Sequence, residues 1–450
     1  MFDKLEKVLM PMADKLGKNK VLLAIRDGFL ITTPLIIVAS LFLLFANFPI
    51  TGWSEFWAGM FGEGWESWFT NVSRPVFEMV GFLSCFGTAY AYGRQLEGDA
   101  IQSAGIGMIA FLILTPTRIF FDGVPAVEGG DVAGGLSFLY LGSQGIFLGL
   151  FVSIIAVWLF NWVYRRGWTI KMPDGVPPAV SQSFEALIPS AVVMLLFFFI
   201  RIGFEFTPYE TVHNFIYSVL QTPLKGAGNT LTAQLIYGVA TTVFWFFGIN
   251  GPAVANSVFG PITKVLTMEN LEAFQNGTDL PNIFTDPFSN FFTNWGGGGS
   301  TLSLVIVMIL FCNSKRIKQL GKLALVPGIF GINEPIIFGL PIVLNPIIII
   351  PFILVPQVNL ILSTIATNLG WIPYTTGVAL PWTTPIGFSG YLSTGSLFAA
   401  VWQIGLLILG CAMYYPFIKI LDKKYLEEEA SAVAVEEEEI SFDDISFDDL

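Results

Sequence analysis

Glu334 is the residue whose type and surroundings point most directly to chemistry. It lies in residues 326–341, a stretch with no other charged side chain, and Lys322 is the nearest basic residue in the chain. Burying an unpaired charge is costly, so this carboxylate should be hydrogen-bonded, protonated or in contact with water. Pro335 disfavours helical backbone at Glu334, which predicts a break with free backbone groups nearby. Such an acceptor suits a sugar hydroxyl, although a cap at a helix N-terminus is the alternative.

Two further segments interrupt apolar sequence with residues that break helices. Residues 245–252 contain Asn-Gly-Pro, which stops a helix, and Asn250 offers both an amide donor and an acceptor. Residues 294–301 contain four consecutive glycines beginning at Gly296, which permit close approach of the backbone. This glycine run lacks the lysine and strand context of a P-loop, so a nucleotide site is not expected. Lining of a cavity and a purely structural break remain alternatives for both segments.

A fourth segment, residues 380–394, is rich in hydroxyl groups such as that of Thr383 and contains Trp382 between two prolines. The face of an indole can stack on the C–H face of a sugar ring. Trp245, Trp295 and Trp382 are therefore candidate sugar platforms. The alternative is the aromatic belt at the membrane interface, to which most of the 12 tryptophans must belong.

Together, the four segments provide one acid, amides, hydroxyls and indoles, but no lysine or arginine. This set suits a neutral polyhydroxylated ligand, because an anionic substrate would need a basic side chain. Cys85, Cys312 and Cys411 have neither metal-like nor CxxC spacing and are expected to pack as small inert residues. We therefore expect no metal and no cofactor.

The composition determines the class of protein that must position these residues. Of the 450 residues, 54% are hydrophobic and 12% are charged, against about 25% charged in soluble domains. A soluble fold could not bury so much apolar surface. The net charge of −12 comes largely from eleven acids after residue 426, so the rest of the chain is nearly neutral and a nucleic-acid partner is not expected. The sequence predicts an all-α polytopic membrane protein.

Ten apolar segments approach the roughly 20 residues that a membrane-crossing helix needs. They are residues 28–48, 75–92, 101–116, 136–164, 184–206, 231–248, 300–312, 336–356, 358–380 and 394–417. In addition, residues 1–20 carry five lysines among apolar residues, which predicts a basic amphipathic helix on the membrane surface.

The distribution of basic residues predicts the orientation in the membrane. Seventeen of the 22 Lys and Arg residues fall in five segments that alternate with the predicted spans. These segments are residues 1–26, 93–98, 165–180, 313–322 and 419–424. The positive-inside rule then places both termini in the cytoplasm and requires an even number of spans.

Three features outside the four segments carry weaker predictions. Arg201 and Glu205 are four residues apart in an apolar run and should pair on one helix face, more for structure than for catalysis. His213, the only histidine, lies in an amphipathic stretch and should be an interfacial residue. The acidic residues 427–450 repel one another and predict a disordered tail, which could alternatively dock a partner.

At the four segments, the sequence resembles the membrane-spanning IIC component of the phosphotransferase system, in the lactose, cellobiose and diacetylchitobiose branch. The resemblance covers residues 1–426 and is greatest to the diacetylchitobiose-specific component. Its most specific element is Gly-Ile-Asn-Glu-Pro at residues 331–335. Residues 245–251, 296–301 and 381–384 support it.

The resemblance implies about ten membrane helices, two re-entrant hairpins and amphipathic interfacial helices in a bacterial cytoplasmic membrane. Residues 1–208 would form the domain of a homodimer, and residues 209–426 would bind the sugar. A β-linked disaccharide would move inward by rigid-body motion and be phosphorylated at its 6-hydroxyl. The phosphate would come from a phosphocysteine on a separate IIB component supplied by IIA, so this chain would be the permease subunit of a sugar phosphotransferase.

The resemblance also implies roles for individual residues. Glu334 matches the acidic residue near the sugar hydroxyls and would orient the 6-hydroxyl or act as its base. Asn333 would be a neighbouring hydrogen-bond donor. Asn250 stands where the family often has histidine, and an amide cannot shuttle a proton, which leaves Glu334 as the only candidate base. The remaining substrate-binding residues would be Trp245, Trp295, Gly296, Trp382 and Thr383.

Other functions remain open at this stage. A proton-coupled sugar symporter could use Glu334 as its proton carrier. A channel is less consistent with the sequence, which lacks rings of charge and a filter-like repeat. A purely structural membrane protein would not need so many helix breaks in its second half. The residues do not choose among diacetylchitobiose, cellobiose and lactose, because pocket shape decides between such similar sugars.

Overall fold

The protein is described from a computed structural model, which confirms the all-α fold class. The described residues are 18–443 without 49, 121–130, 134, 174, 248–249, 341, 343–344 and 346. Most of the predicted amphipathic helix over residues 1–20 therefore lies outside them. The strands found in this part of the chain are β1 (Arg118–Phe120) and β2 (Asp131–Ala133), which pair in an antiparallel hairpin.

Up to residue 230, the chain forms α-helices together with a short 3₁₀ turn (Ser143–Gly145) and a π-helical segment (Ile216–Gln221). They are α1 (Lys20–Ala46), α2 (Trp53–Phe61), α3 (Glu66–Phe77), α4 (Val80–Gln95), α5 (Ala100–Leu114), α6 (Phe138–Leu141), α7 (Ile146–Arg165), α8 (Pro178–Glu185), α9 (Leu187–Glu205), α10 (Val212–Phe215) and α11 (Thr222–Gly228).

The helices after residue 230 include several short ones that begin or end at the predicted breaks. They are α12 (Leu231–Phe246), α13 (Gly251–Gln275), α14 (Asp286–Phe291), α15 (Thr301–Phe311), α16 (Lys315–Ile329), α17 (Glu334–Gly339), α18 (Ile349–Asn368), α19 (Phe388–Thr394) and α20 (Leu397–Asp443).

Five helical segments of the described chain are long and apolar enough to cross a membrane. They are Lys20–Ala46, Ser143–Arg165, Pro178–Glu205, Ile349–Asn368 and Leu397–Ser431. Three apolar helices, α5, α12 and α15, are shorter. Turns at glycine and proline divide the apolar sequence into pieces below the length of a full span. The count of ten spans and the two re-entrant hairpins stay predictions.

Contacts divide the chain into two compact units. The first unit comprises residues 1–234, 252–287 and 374–380, and the second comprises residues 235–251, 288–373 and 381–450. The sequence placed the boundary at residue 208, whereas the contacts assign three stretches beyond that point to the first unit. The predicted roles of the two parts in dimerisation and in sugar binding are not tested by this division.

The first unit is built on helices α1, α4, α5 and α7, which pack through small residues. A Cβ at Gly28 would lie 2.5 Å from the backbone nitrogen of Thr88, and a Cβ at Gly107 would lie 2.6 Å from the Cβ of Ala89. Small residues let membrane helices approach closely, which is the main source of packing energy where lipid removes the hydrophobic driving force. Cys85 is buried in this core and donates to the carbonyl of Gly107, consistent with the predicted packing role.

His213 lies inside the first unit rather than at an interface, so the sequence-based prediction was wrong. Its side chain is 1% exposed, and its Nε2 is 3.0 Å from the Oγ1 of Thr115. The imidazole also contacts the rings of Phe111 and Tyr140. The amphipathic pattern around His213 showed which face of the segment is polar, but the polar face is covered by these neighbours. The predicted pair of Arg201 and Glu205 is present, at 3.8 Å.

In the second unit, the segment after α15 is held by carboxylates of α20. Asp422 accepts hydrogen bonds from the backbone nitrogens of Asn313 and Ser314, both at 2.8 Å, and from the ammonium of Lys419 at 2.7 Å. Glu429 accepts from the hydroxyl of Ser314 at 2.6 Å. Carboxylates are favoured at the N-terminus of a helix, and here they fix the start of α16.

The same helix corrects the prediction of a disordered tail from residue 427. Helix α20 continues through Asp443, and residues 444–450 lie outside the described part. Glutamate and alanine dominate residues 427–439 and are strong helix formers, so helix propensity outweighs the repulsion that the sequence analysis considered. The contacts of Glu429 give this extension its anchor.

Replacing Asp422 by alanine should destabilise the second unit. The carboxylate is 1% exposed and accepts four hydrogen bonds, so its removal leaves two backbone N–H groups without their acceptor and removes the ion-pair partner of Lys419. We expect a loss of about 3 kcal/mol in the free energy of unfolding. The measurement is thermal unfolding of the purified protein in detergent.

Glu428 provides a matched control for this prediction. It lies on the same helix, is half-exposed and is 3.9 Å from Lys424. An exposed ion pair of this kind contributes at most about 1 kcal/mol. The Glu428→Ala variant should unfold near the temperature of the unaltered protein. Equal unfolding temperatures for Asp422→Ala and Glu428→Ala would show that the cap does not stabilise the unit.

Candidate functional site

The candidate site lies in the second unit and starts from the predicted glycine loop. This loop connects α14 to α15, and Gly296, Gly297 and Gly299 have φ angles of +75°, +89° and +84°. Side chains with a Cβ rarely adopt such angles, so the loop can form only because these residues are glycines. The hydroxyl of Thr301 donates to the carbonyl of Gly296 and closes the turn into α15. The predicted tight connection is therefore present.

Asn333 is fixed against this loop. Its Nδ2 donates to the carbonyl of Gly298 at 3.0 Å, and its side chain is 5% exposed. A Cβ at Gly297 would lie 2.7 Å from the Cγ of Asn333, so the amide occupies the space that the glycine leaves. Asn333 also caps α17, because its carbonyl accepts from the backbone nitrogens of Ile336 and Ile337. Two segments that the sequence singled out separately thus form one structure.

Glu334 is the first residue of α17 and is exposed. The sequence allowed a hydrogen-bonded, a protonated or a water-exposed carboxylate, and the side chain of Glu334 is exposed. Because its neighbour Asn333 is locked to the loop, the backbone that carries Glu334 has a fixed position. The geometry leaves the carboxylate free to accept a hydrogen bond from a bound hydroxyl.

Trp245, in the last turn of α12, lies on the other side of the glycine loop. A Cβ at Gly298 would lie 3.0 Å from its Nε1, and the residue is 5% exposed. Within the part of the chain that the structure describes, this indole N–H has no hydrogen-bond acceptor. Buried donors without an acceptor are rare in folded proteins, so this N–H is a candidate to donate to a ligand or a water molecule.

The other two candidate indoles differ sharply in exposure. Trp382 is 60% exposed, and its ring lies over Gly331, where a Cβ would be 3.2 Å from its Cε3. It therefore presents an open aromatic surface next to the Asn333 segment. Trp295 is 4% exposed, packs with Leu302 and Leu406, and donates its N–H to the carbonyl of Phe291 at 3.1 Å. These contacts favour a packing role for Trp295.

The remaining predicted residues, Asn250 and Thr383, lie in the other two segments that contain helix-breaking residues. Helix α12 ends at Phe246 and α13 begins at Gly251, so the chain breaks where the sequence predicted it. Asn250 directly precedes α13 and is exposed. Thr383 is half-buried in a turn that is closed by a hydrogen bond of 2.9 Å from the backbone nitrogen of Thr384 to the carbonyl of Pro381.

Several residues that support the site were not singled out from the sequence. Gln403 is fully buried in α20, donates to the carbonyl of Phe291 at 2.6 Å and accepts from the backbone nitrogens of Gly387 and Gly390. Asn359 in α18 donates to the carbonyl of Thr293 at 3.0 Å and so holds the start of the glycine loop. An amide inside an apolar helix is itself a signal, because a polar group in the membrane needs a partner.

The arrangement combines one exposed carboxylate, one fixed amide, one free indole N–H and one exposed indole face around a glycine loop. The carboxylate can accept from a hydroxyl, the indole N–H can donate to one, and the aromatic face can stack on a sugar ring. The sequence segments that form this arrangement contain no lysine or arginine. The site is therefore suited to an uncharged ligand rich in hydroxyls.

Comparisons with known proteins place the chain among characterised relatives. A family model described as "Phosphotransferase system, EIIC" matches residues 26–356. The lichenan permease IIC component of Bacillus subtilis (strain 168) is 40% identical over 94% of each chain. The cellobiose-specific EIIC component of Geobacillus stearothermophilus is 39% identical over 94% of this chain and 95% of the relative. The crystal structure of the IIC transporter of the N,N'-diacetylchitobiose-specific phosphotransferase system superposes with a TM-score of 0.92 at 39% identity, covering 95% of this chain and 99% of that one.

Proposed function

This chain belongs to the phosphotransferase system EIIC family, and from that premise we propose that it binds a β-linked disaccharide and carries it inward for phosphorylation. It is a multi-pass membrane permease of that system. The proton-coupled symporter that the sequence left open is not supported. In the proposed cycle the sugar reaches the cytoplasmic side with its 6-hydroxyl presented to phosphorylated IIB.

The observation that carries this proposal is that Trp245 and Asn333 both pack against the glycine loop, while Trp382 lies over Gly331 in the segment that leads to Glu334. Each group can bind a disaccharide, and none carries the positive charge that would favour an anion. Relatives whose names give cellobiose, lichenan and diacetylchitobiose as substrates support a glucose-type sugar. All three contain sugars joined by β-linkages, which gives an extended chain of rings that an exposed indole can follow.

Each site residue has a distinct proposed role. Trp382 stacks on a sugar ring, and the N–H of Trp245 donates to a hydroxyl. Glu334 orients the 6-hydroxyl and acts as its base, because no other carboxylate and no histidine belongs to the four segments. Asn333 holds the segment and can donate its second N–H. Gly296 shapes the loop, Trp295 supports it from within the core, and Asn250 and Thr383 supply additional polar contacts.

The permease depends on partners that supply the phosphoryl group. Cys85 and Cys312 are buried and Cys411 is half-buried on an apolar helix, so none is placed to receive a phosphate. A phosphocysteine on a separate IIB component, recharged by IIA, fills this role in the proposal. We further infer a homodimer formed by the N-terminal half in a bacterial cytoplasmic membrane. The bias of basic residues supports cytoplasmic termini.

Transport into vesicles tests the proposed function. The purified protein is reconstituted and given diacetylchitobiose, cellobiose or lactose outside, with IIB and its phosphoryl donors inside or omitted. Accumulation of the sugar 6-phosphate only in the presence of phosphorylated IIB is the expected result, and the preferred sugar identifies the substrate. Accumulation of unmodified sugar driven by a proton gradient, without any phosphoryl donor, would contradict the proposal.

Replacing Trp382 by alanine should weaken sugar binding without destabilising the protein. The ring is largely exposed, so little packing is lost, but a stacked sugar would lose its aromatic surface. We expect the dissociation constant to rise about tenfold, and Trp382→Phe to retain much of the affinity. Binding is measured by calorimetry on the purified protein.

Trp371 is the matched control, because it is 55% exposed in the same unit and packs edge-on against Trp402 at 6.0 Å. The Trp371→Ala variant should bind sugar with unchanged affinity. Equal affinity in Trp382→Ala and Trp371→Ala would assign Trp382 to the interfacial aromatic belt.

A further inference from the structure

A cavity in the first unit lies beside the end of α9 and is not used by the proposed function. Its volume is about 500 Å³. The lining combines a guanidinium, two carboxylates and two hydroxyls with apolar side chains. The lining residues are Leu114, Pro116, Thr117, Arg201, Glu205, Glu210, Thr211 and Val212.

Among the described residues that line the cavity, Arg201 is the basic one, and its position is fixed. Its Nη1 donates to the carbonyl of Ile113 at 2.9 Å, and its Nε is 3.8 Å from the carboxylate of Glu205. The side chain is still 36% exposed, so the guanidinium keeps further donors for a ligand in the cavity. A guanidinium matches the geometry of a phosphate better than any other side chain does.

The two carboxylates exclude a simple anion as the ligand. Glu205 and Glu210 are both exposed and outnumber Arg201, so an inorganic phosphate would gain one attraction and meet two repulsions. A simple cation would in turn meet the guanidinium. Charge complementarity requires a ligand that carries a negative and a positive group close together.

The surface around the cavity indicates where such a ligand comes from. Helix α9 exposes Leu195, Phe198 and Phe199 by 55%, 47% and 64%, and it belongs to a segment apolar enough to cross the membrane. Exposed side chains of this size on a membrane helix contact lipid chains. Arg201 is four residues, or about 6 Å, from the end of α9, so the guanidinium lies near the end of this apolar helix and not at its middle.

We propose that this cavity binds a zwitterionic phospholipid whose headgroup carries a primary ammonium. Arg201 donates to the phosphodiester, and Glu205 and Glu210 accept hydrogen bonds from the ammonium. The acyl chains lie along Phe198 and Phe199. A headgroup with a quaternary ammonium has no N–H to donate, and an anionic headgroup without an ammonium brings its negative charge near both carboxylates with no positive group to compensate.

Lipid competition on the full-length protein tests this inference. The purified protein is titrated with phosphatidylethanolamine, phosphatidylcholine and phosphatidylglycerol of identical acyl chains, and bound lipid is counted by native mass spectrometry. We expect phosphatidylethanolamine to bind at least tenfold more tightly than the other two. Similar affinities for all three would overturn the proposal, because lipid would then only coat the surface.

Two variants and a control locate the binding. Arg201→Gln should lower the affinity for phosphatidylethanolamine at least tenfold. Glu210→Gln should reduce the ratio of the affinity for phosphatidylethanolamine to that for phosphatidylcholine. Arg166→Gln is the control, because Arg166 lies over the ring of Trp162 and outside the cavity lining. If Arg201→Gln does not fold, Glu210→Gln still gives the answer. Unchanged lipid affinity in Glu210→Gln together with altered self-association would overturn the proposal and assign the cavity to contacts between copies.

A soluble headgroup separates lipid from free ligand. Glycerophosphoethanolamine carries the same phosphate and ammonium but has no acyl chains. It should compete at least a hundredfold more weakly than the intact lipid, because contacts with α9 are lost. Equal competition would show that the site takes a soluble phosphoamine and would overturn the assignment to a lipid.

Discussion

The Glu334→Gln variant should bind the disaccharide with little loss of affinity but phosphorylate it at least a hundredfold more slowly. Glutamine keeps one oxygen that accepts a hydrogen bond, so binding should weaken by about 1–3 kcal/mol at most. It cannot take a proton from the 6-hydroxyl, and a positioned general base contributes about 10²–10⁴ in rate. The exposed carboxylate at the fixed start of α17 is well placed for that proton transfer.

Two separate measurements distinguish the base role from simple binding. The dissociation constant is measured without IIB, and the rate of one turnover is measured by mixing phosphorylated IIB with vesicles saturated with sugar. Glu428→Gln, at an exposed position of the same unit, is the control and should change neither quantity. An unaltered turnover rate in Glu334→Gln would contradict the base role and favour the alternative that the carboxylate only caps the N-terminus of α17. A parallel loss of affinity and rate would mean that it only binds substrate.

The sequence predicted the positions of the helix breaks because the signals for them are local. Four glycines can adopt the positive φ angles of the loop, and Asn-Gly-Pro ends a helix whatever surrounds it. The break at Asn333 and Glu334 was found locally too, but the expectation of non-helical backbone at Glu334 was wrong, because α17 begins at this residue with Pro335 in its first turn, where proline is tolerated. Each of these features depends on a few neighbouring residues.

The sequence could not predict which indoles are exposed, because burial depends on contacts between distant segments. Trp295 packs with Leu406, more than a hundred residues away, whereas Trp382 lies over Gly331 with its ring largely open. Both tryptophans follow or precede break-forming residues and look alike locally. The role of Gln403 as a brace was missed for the same reason, although an amide in an apolar helix is a usable signal.

The division into units was also beyond local reasoning. Residues 374–380 follow an apolar segment of the second unit but are held in the first. Asn270 donates to the carbonyl of Thr375 at 2.8 Å, and the hydroxyl of Ser40 accepts from the backbone nitrogen of Ala379 at 3.0 Å. A Cβ at Gly377 would lie 2.7 Å from the backbone nitrogen of Leu271. Hydropathy alone cannot reveal pairings between residues that lie hundreds of positions apart.

The Gly297→Ala variant should lose sugar binding while the protein still folds. Alanine is unfavourable at this position for two reasons, backbone strain and a steric clash. The φ angle of +89° is unfavourable for alanine, and the new Cβ would lie 2.7 Å from the Cγ of Asn333. The amide must then move, which breaks its hydrogen bond to the carbonyl of Gly298 and releases the segment that carries Glu334. We expect affinity to fall at least tenfold and the turnover rate to fall with it.

The Gly370→Ala variant separates the backbone strain from the steric clash. Gly370 lies in the same unit with a φ angle of +73°, and no atom lies within 4 Å of the position of its Cβ. Backbone strain alone should therefore destabilise this control, by about 1–2 kcal/mol, and its affinity for sugar should be unchanged. If both variants lose stability equally and both bind sugar normally, Asn333 can shift without harm. In that case the packing of the glycine loop against Asn333 does not organise the sugar site, and Glu334 would have to be positioned by α17 alone.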